Sequence, residues 1–463
     1  MYKIDREAFE AKFIDRAAKI PFKHEPNVIF RELPFTSRYT YAVLDFKGVV
    51  GEYARIISGR ELKQPVSRDE ALEKIQYYVT FNTDETDAYQ LSTMIKQMYF
   101  DENGELNLFS NRAMLFTNSN LSDNKVAKFL FDVLNAGKAR ESDGRCFEEE
   151  ADNVLDELVY EILPDLAQKN SGNKEYMSLI PYVSSIFKED FEYIMADKDR
   201  IQKYMKKLLN HYYFFYISQL SIKLNDMFNV DSNRVEPLFF TVEWEKMSKS
   251  RQPYDFGWRK LEANIATLFA HSKLLEMLNQ DGESNHRIED NITYEKIKNE
   301  LSIIETTSFG EDVKYLIQLY KENITDFNFE EIEYPNCYES EILNDILYWF
   351  RCIDGQFKGT GRSRAASGYS TWFSEYCKKN ILKNRRSLGY TLNLTEEDII
   401  FLTKICIKDQ EKMKLKDLFS AFERRGIMLD LKTKEEINNY YEKLNLIEKK
   451  SDSGDAQYVK GIL

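Results

Sequence analysis

Thr395-EEDIIFLTKICI, Lys414-LKDLFSAFERR-Gly426, Thr433-KEEINNYYEKLN and Leu446-IEKKSDSGDAQYVKGIL follow one another between residues 395 and 463. The first stretch opens on a threonine with three acids behind it, which satisfies free N–H groups and complements the positive end of a helix. The second keeps its apolar residues at three/four spacing and stops at Gly426, the residue that most readily closes a helix. Ile427-MLDL reads as a short strand, and Thr433 with Glu436 has the spacing of a capping box for a third helix. In the last stretch two strand-like pieces flank the turn Ser451-DSGD. Three helices followed by a hairpin is the order of a winged helix, a small nucleic-acid reader.

Immediately upstream, residues 351–390 hold nine Lys/Arg against two acids, Asp354 and Glu375, a net of +7 in a chain whose formal net charge is −13. Positive charge concentrated on an acidic background marks a place where a polyanion can sit. The segment reads as a glycine-bearing loop over 355–370 and then a helix, Thr371-WFSEYCKKNILKNRR. Phe373, Cys377 and Ile381 fall four apart as its apolar stripe, with Lys378, Lys379, Arg385 and Arg386 on the other side. The phosphate- or DNA-contacting residues expected here are Lys358, Arg362, Arg364, Lys378, Lys379, Lys383, Arg385 and Arg386, joined by Lys449 and Lys450 on the wing. Gly355-QFKGTG-Arg362-SR lacks the G-x-x-x-x-G-K-[ST] pattern, so it supports no NTP hydrolysis. The plainer reading of the same glycines is a solvated loop.

The third helix, in the recognition position of a winged helix, complicates the picture. Glu435, Glu436 and Glu442 share a short helix with Asn438 and Asn439, and carboxylates oppose a phosphate-lined groove. A winged helix of this charge suits a protein partner as well as it suits bases.

Over the whole chain of 463 residues, Gly and Pro are sparse and Leu/Ile/Lys/Glu tracts are long, which favours a mainly α protein with a few short strands. The pattern divides it into a mostly helical segment 1–170, a central helical segment 175–355, a basic loop and helix 356–390, and the winged-helix-like 391–463. Helices are expected from Ser67, around 85–99, 122–136 and 150–168, across Phe187–Phe228 and over Phe256–Asn279. Strands are expected at Tyr39–Phe46 and Phe239–Met247, and a polar loop follows Gln280. Five scattered cysteines without a C-x-x-C pair suit a reducing compartment. MYKIDREAFEAKF lacks the apolar core of a signal peptide, and no apolar run approaches the ~20 residues of a membrane span. A cytoplasmic protein without membrane contact is the expectation.

Motifs for chemistry are few. Lys246-Met-Ser-Lys-Ser250 matches the ATP-loop string of class I aminoacyl-tRNA synthetases, yet none of the four histidines (His24, His211, His271, His286) sits in a companion H-I-G-H-like element. A polar loop between a strand and a helix is the better reading. With Arg251, Arg259 and Lys260, residues Lys246 and Lys249 form a second basic patch beside Trp244 and Trp258, suited to a backbone phosphate. His211 lies among aromatics and reads as a core residue. Acidic runs such as Phe147-EEEAD read as solvated helix faces. No catalytic residue, metal ligand or cofactor is assigned, although a metal-dependent nuclease built from dispersed carboxylates stays open.

Leu33-PFTSR, Asp45-FKGVVGEYARIISG, Phe240-TVEWEKMSKSRQPYDFGWRKLE, Phe357-KGTGRSRA, Ser387-LGYTLNLTEEDIIFLTKIC and Leu444-NLIEKKSDSGDAQYVKGIL carry a resemblance. Through these, the chain resembles the G-subunit (DptG) family of bacterial DNA phosphorothioation-dependent restriction systems, the last two stretches being the most specific. The resemblance implies a subunit that works with two companion proteins, one a helicase-like ATPase, against double-stranded DNA lacking the modification. It carries no catalytic motif onto numbered positions here. Two rivals remain: a scaffold that holds partner proteins without touching DNA, and a nuclease subunit.

Overall fold

Helix-forming tracts dominate the chain, and the computed structural model is accordingly mainly helical with short strands. It describes residues 3–24, 31–35, 43–80, 85–135, 144–148, 150–169, 172–280, 290–449 and 457–462. Lys450, the turn Ser451–Asp455, His286 with most of the loop after Gln280, and the first half of the strand expected over Tyr39–Phe46 lie outside the described residues. Val43–Phe46 is described and is not a strand. Among the described residues no helix is long and apolar enough to cross a membrane.

The chain folds as two compact units. One comprises Asp45–Lys174 and Val183–Tyr213. Its helix Lys47–Ser58 packs on Leu121–Leu134, which Asn120 and Asp123 start with a reciprocal capping box. Arg55, on the first of these helices, is buried and donates to the carbonyls of Leu115 and Thr117, in the segment ahead of the second, at 3.0 and 2.8 Å. The expected helices appear as Arg68–Thr80, Glu85–Tyr99 and Leu121–Leu134. The one expected over 150–168 is shorter, Val154–Ile162. Pro164 cannot donate to the helix and forces Leu163 into extended backbone. The chain beyond it forms β2 (Leu166–Gln168), antiparallel to β1 (Arg60–Leu62).

The other unit comprises Met1–Leu44, Glu175–Tyr182 and Phe214–Leu463. Its strands, in chain order, are β3 (Phe239–Val242), β4 (Leu382–Asn384), β5 (Tyr390–Leu394), β6 (Lys412–Lys414), β7 (Met428–Leu429), β8 (Ile447–Lys449) and β9 (Gln457–Lys460). They form a four-stranded sheet of order β4-β5-β3-β7 and a three-stranded antiparallel sheet of order β6-β9-β8. In the first, β3 runs parallel to β5 and β7, with Thr241 opposite Asn393 and Phe240 opposite Leu429, while β4 is antiparallel to β5. Helices Glu396–Ile407, Leu415–Arg424 and Leu431–Lys443 accompany the second sheet. Buried aromatics fill this unit, including Tyr216, Trp349, Trp372 and Tyr441.

Three expectations are corrected in this unit. The helix expected over Phe256–Asn279 is two, Trp258–Ile265 and Leu268–Leu278. Between them the Thr267 hydroxyl donates to the Asn264 carbonyl and the Asn225 side chain, both at 2.9 Å, which favours a break over continued helix. The third helix of the C-terminal region starts before Thr433. Asp430 is its cap, accepting from Thr433 N at 2.9 Å, and the Thr433 hydroxyl turns inward instead. Finally, the glycine-bearing stretch 355–370 is almost wholly helical, as the end of Glu341–Gly359 and the start of Ser363–Asn380.

Candidate nucleic-acid interface

The glycines of the basic segment serve close packing. A Cβ at Gly355 would lie 2.9 Å from Ile332 Cδ1, and one at Gly359 would lie 2.7 Å from Phe327 Cε2. The helix therefore runs against those side chains where only glycine fits. Arg362 precedes the next helix and forks onto Asp326, with Nη2 and Nη1 donating at 2.7 and 2.9 Å, while its Nε donates to Gln356 Oε1 at 2.9 Å. These bonds hold the Asp326 carboxyl below its usual range. Lys358 pairs with Asp354 at 2.6 Å, and Lys378 with Glu375 at 2.8 Å, which raises the pKa of Lys378. Lys383 donates to the Glu243 carbonyl at 2.9 Å and faces its carboxylate at 3.4 Å. Local acids thus balance much of the charge that composition assigned to a polyanion.

Arg385 departs furthest from its expected role. It lies in the turn between β4 and β5, off the helix, because Ser363–Asn380 ends before it. Its Nη2 donates to Val242 O at 2.8 Å and Thr241 Oγ1 at 3.1 Å, and its Nη1 to Glu245 O at 2.9 Å and Glu243 O at 3.3 Å. One guanidinium fastens the end of β3 and the loop behind it. Burial lowers its pKa from the usual guanidinium value. Arg386, the next residue, is exposed and left-handed, with φ of 57°.

The Lys246–Ser250 string forms the polar loop between β3 and the short helix Gln252–Asp255. Arg251 closes that loop from beneath. Its Nη2 and Nε donate to Asp430 at 2.6 and 2.9 Å, its Nη1 lies 3.1 Å from Glu245 Oε2, and a further bond reaches Thr433 Oγ1 at 2.8 Å. Burial pushes the Glu245 carboxyl up, with Arg251 opposing. Burial also works against the charge on Asp430, but the bonds from Arg251 and Thr433 prevail and lower its pKa. Arg251 occupies the position between the two carboxylates that a cation would take. Arg259 pairs with Asp255 at 3.3 Å and lies over the Tyr254 ring, and Lys260 donates to the Pro237 carbonyl at 3.4 Å. Trp258, expected beside this patch, is buried, because it is a core position of its helix.

Five of the sequence-selected cations are exposed and have no ion-pair partner among the described residues: Lys246, Lys249, Arg364, Lys379 and Arg386. On the expected wing Lys449 pairs with Glu442 at 2.8 Å, and on the helix before it Lys434 pairs with Glu423 at 2.9 Å. The Asp45–Lys174 unit has an open cleft of 1020 Å³, whose charged lining is Glu148, Glu150, Glu157, Glu161 and Asp165 with Arg60 and Arg112. Its acid excess opposes a polyanion. Among the described residues no three His, Cys, Asp or Glu side chains are grouped to hold a metal ion.

Sequence reasoning gave Trp244 no role beyond its neighbourhood to the lysines and passed over Tyr440. The two rings pack with centroids 5.2 Å apart and planes tilted by 41°, a tertiary contact without a signature in either local pattern. No family model matches the chain, and no curated protein matches it.

Proposed function

We propose that this chain is a DNA-engaging, non-catalytic subunit of a phosphorothioation-dependent restriction complex, acting in the cytoplasm on double-stranded DNA that lacks the modification, with companion subunits that include a helicase-like ATPase. The observation that carries the DNA half of this reading is the group of exposed cations without acid partners, Lys246, Lys249, Arg364, Lys379 and Arg386, on an otherwise acidic chain. Cations that no carboxylate neutralises are those able to release counterions from a phosphate backbone. The resemblance described above supports the restriction setting.

We further propose that residues 391–463 form a winged helix. Support comes from three helices in the right order and from the antiparallel β6-β9-β8 sheet, in which β8 and β9 would be the wing. Leu431–Lys443 would then be the recognition helix. It exposes Leu431 at 81% and Leu444, just beyond it, at 42%, beside Glu435 and Glu442. Exposed leucines among acids favour a protein partner for this module, which leaves phosphate contact to the five cations.

Electrophoretic shift of modified and unmodified duplexes by the full chain, across a salt series and with or without Mg²⁺, tests the reading. Replacing the five cations by alanine should weaken binding and reduce the salt slope by about 0.9 for each phosphate no longer neutralised. A variant that keeps the parental affinity and slope refutes the assignment. A chain that shifts no DNA at any salt supports the scaffold, and metal-dependent cutting supports the nuclease.

A further inference from the structure

Trp244 is 37% exposed, whereas the other three tryptophans, Trp258, Trp349 and Trp372, are at most 2% exposed. An exposed indole is ordinarily tolerated on a mobile loop, but this one is held from several sides. Arg385 grips the carbonyls of Val242, Glu243 and Glu245, the residues that bracket Trp244. Glu245 folds back to accept from Val242 N at 3.1 Å and also accepts from the Thr433 hydroxyl at 3.1 Å. Arg251 locks the far end of the same loop to Asp430 and donates to Lys246 O at 2.9 Å. Tyr440 backs the indole, and its own hydroxyl is directed at Glu396 Oε2, 3.4 Å away. Two half-buried arginines and two carboxylates, Glu245 and Asp430, thus fix a loop that carries the part-exposed indole.

Exposed cations stand near that loop, alongside the carboxylate of Glu396 that receives the Tyr440 hydroxyl. Lys246 and Lys249 on the loop, and Arg386 next to the Arg385 hub, are exposed without an acid partner among the described residues. Glu243 is engaged with Lys383. We infer that Trp244, backed by Tyr440 and flanked by Lys246, Lys249 and Arg386, is a stacking platform for an unpaired base of a nucleic-acid strand. A part-exposed ring on a fixed loop, with cations on the same loop and on the adjoining turn, matches the way single strands are held, base on aromatic and phosphate on Lys or Arg. A continuous duplex offers no base face to such a ring. This rests on the DNA-engaging reading and narrows it to strand ends, bubbles or flipped bases.

Intrinsic fluorescence of the full chain reads the stacking directly, because only Trp244 of the four tryptophans is at the surface. Its emission should be quenched by a single-stranded oligonucleotide and by a duplex with an internal bubble, with little change on a continuous duplex. Trp244→Ala should lose roughly tenfold or more in affinity for the single strand, and Tyr440→Ala a smaller factor, while continuous-duplex affinity stays near parental. Trp244→Phe, which keeps a ring, should restore most of the single-strand affinity. If DNA shifts the chain but leaves the emission unchanged, and Trp244→Ala binds single strands normally, the platform is refuted and the DNA reading stands. If neither single strands nor duplexes bind, both are refuted.

Discussion

A cation's role here depends on which acceptors surround it. Arg251 and Arg385 have the composition of phosphate ligands, yet each spends its guanidinium inside the protein. The Glu245 side chain is 0% exposed, and those of Arg251 and Asp430 are 10% and 11% exposed. Removing Arg251 leaves two carboxylates uncompensated, so Arg251→Ala should cost about 3–5 kcal/mol of folding free energy in a chemical denaturation experiment. Arg385→Ala strips the β3 end of its donors and should likewise lower stability. Lys379→Ala or Arg386→Ala, at exposed positions, should leave stability within about 0.5 kcal/mol. If the exposed pair proves as destabilising as the buried pair, the division between structural and ligand-facing cations fails.

At the scale of elements, glycine was ambiguous between freedom and fit. Gly359 ends a helix rather than opening a flexible loop, and the ring of Phe327 occupies the space a methyl would need. In an unhindered helix, alanine for glycine gains about 0.5–1 kcal/mol. Against Phe327, itself packed on Phe329 with centroids 4.9 Å apart, the overpacking penalty of about 1–3 kcal/mol should prevail. Gly359→Ala is therefore expected to lower the midpoint of thermal unfolding. A raised midpoint would restore the solvated-loop reading of this stretch. Local backbone chemistry also explains the short helix before β2, where Pro164 set a limit that the apolar pattern of 150–168 concealed.

For the molecule as a whole, buried ionisable groups give stability a definite pH profile. His271 is buried and His24 half-buried; they share hydrogen bonds with the Tyr294 and Tyr320 hydroxyls at 3.0 Å, and desolvation pushes their pKa values down to about 3. Both remain neutral in the fold while the unfolded chain takes up protons below about 6.5, so their contribution fades as pH falls through that range toward 3. Glu32 acts in the opposite direction. Burial, opposed by a bond to Ser272, raises its pKa to about 7, above the unfolded value of 4.5. Its contribution is complete below pH 4.5 and disappears as pH rises through 7. Glu32→Gln should therefore be more stable than the parent at pH 8, with the gain gone by pH 4.5, as read from denaturation midpoints across pH. An unchanged difference between the two pH values would show that Glu32 titrates normally.

Periodic and local signals were legible in the chain alone. Helical spacing, sparse breakers and the Thr395 cap were enough for a mainly α protein, for most helix positions and for the strand at Phe239. The chain around Lys246–Ser250 could be read as a loop from its flanks. Long-range geometry decided the rest. That β7 pairs with β3, that residues before Leu44 share a unit with those after Phe214, and that Asp326 receives Arg362 are contacts between distant segments, on which local periodicity is silent. Net charge located a basic region but could not tell a cation facing solvent from one whose hydrogen bonds are already taken. That distinction depends on acceptors brought from elsewhere in the chain, and it narrowed the expected set, setting aside Arg362 and Arg385 and keeping Arg364, Lys379, Arg386 and the lysines of the loop that carries Trp244.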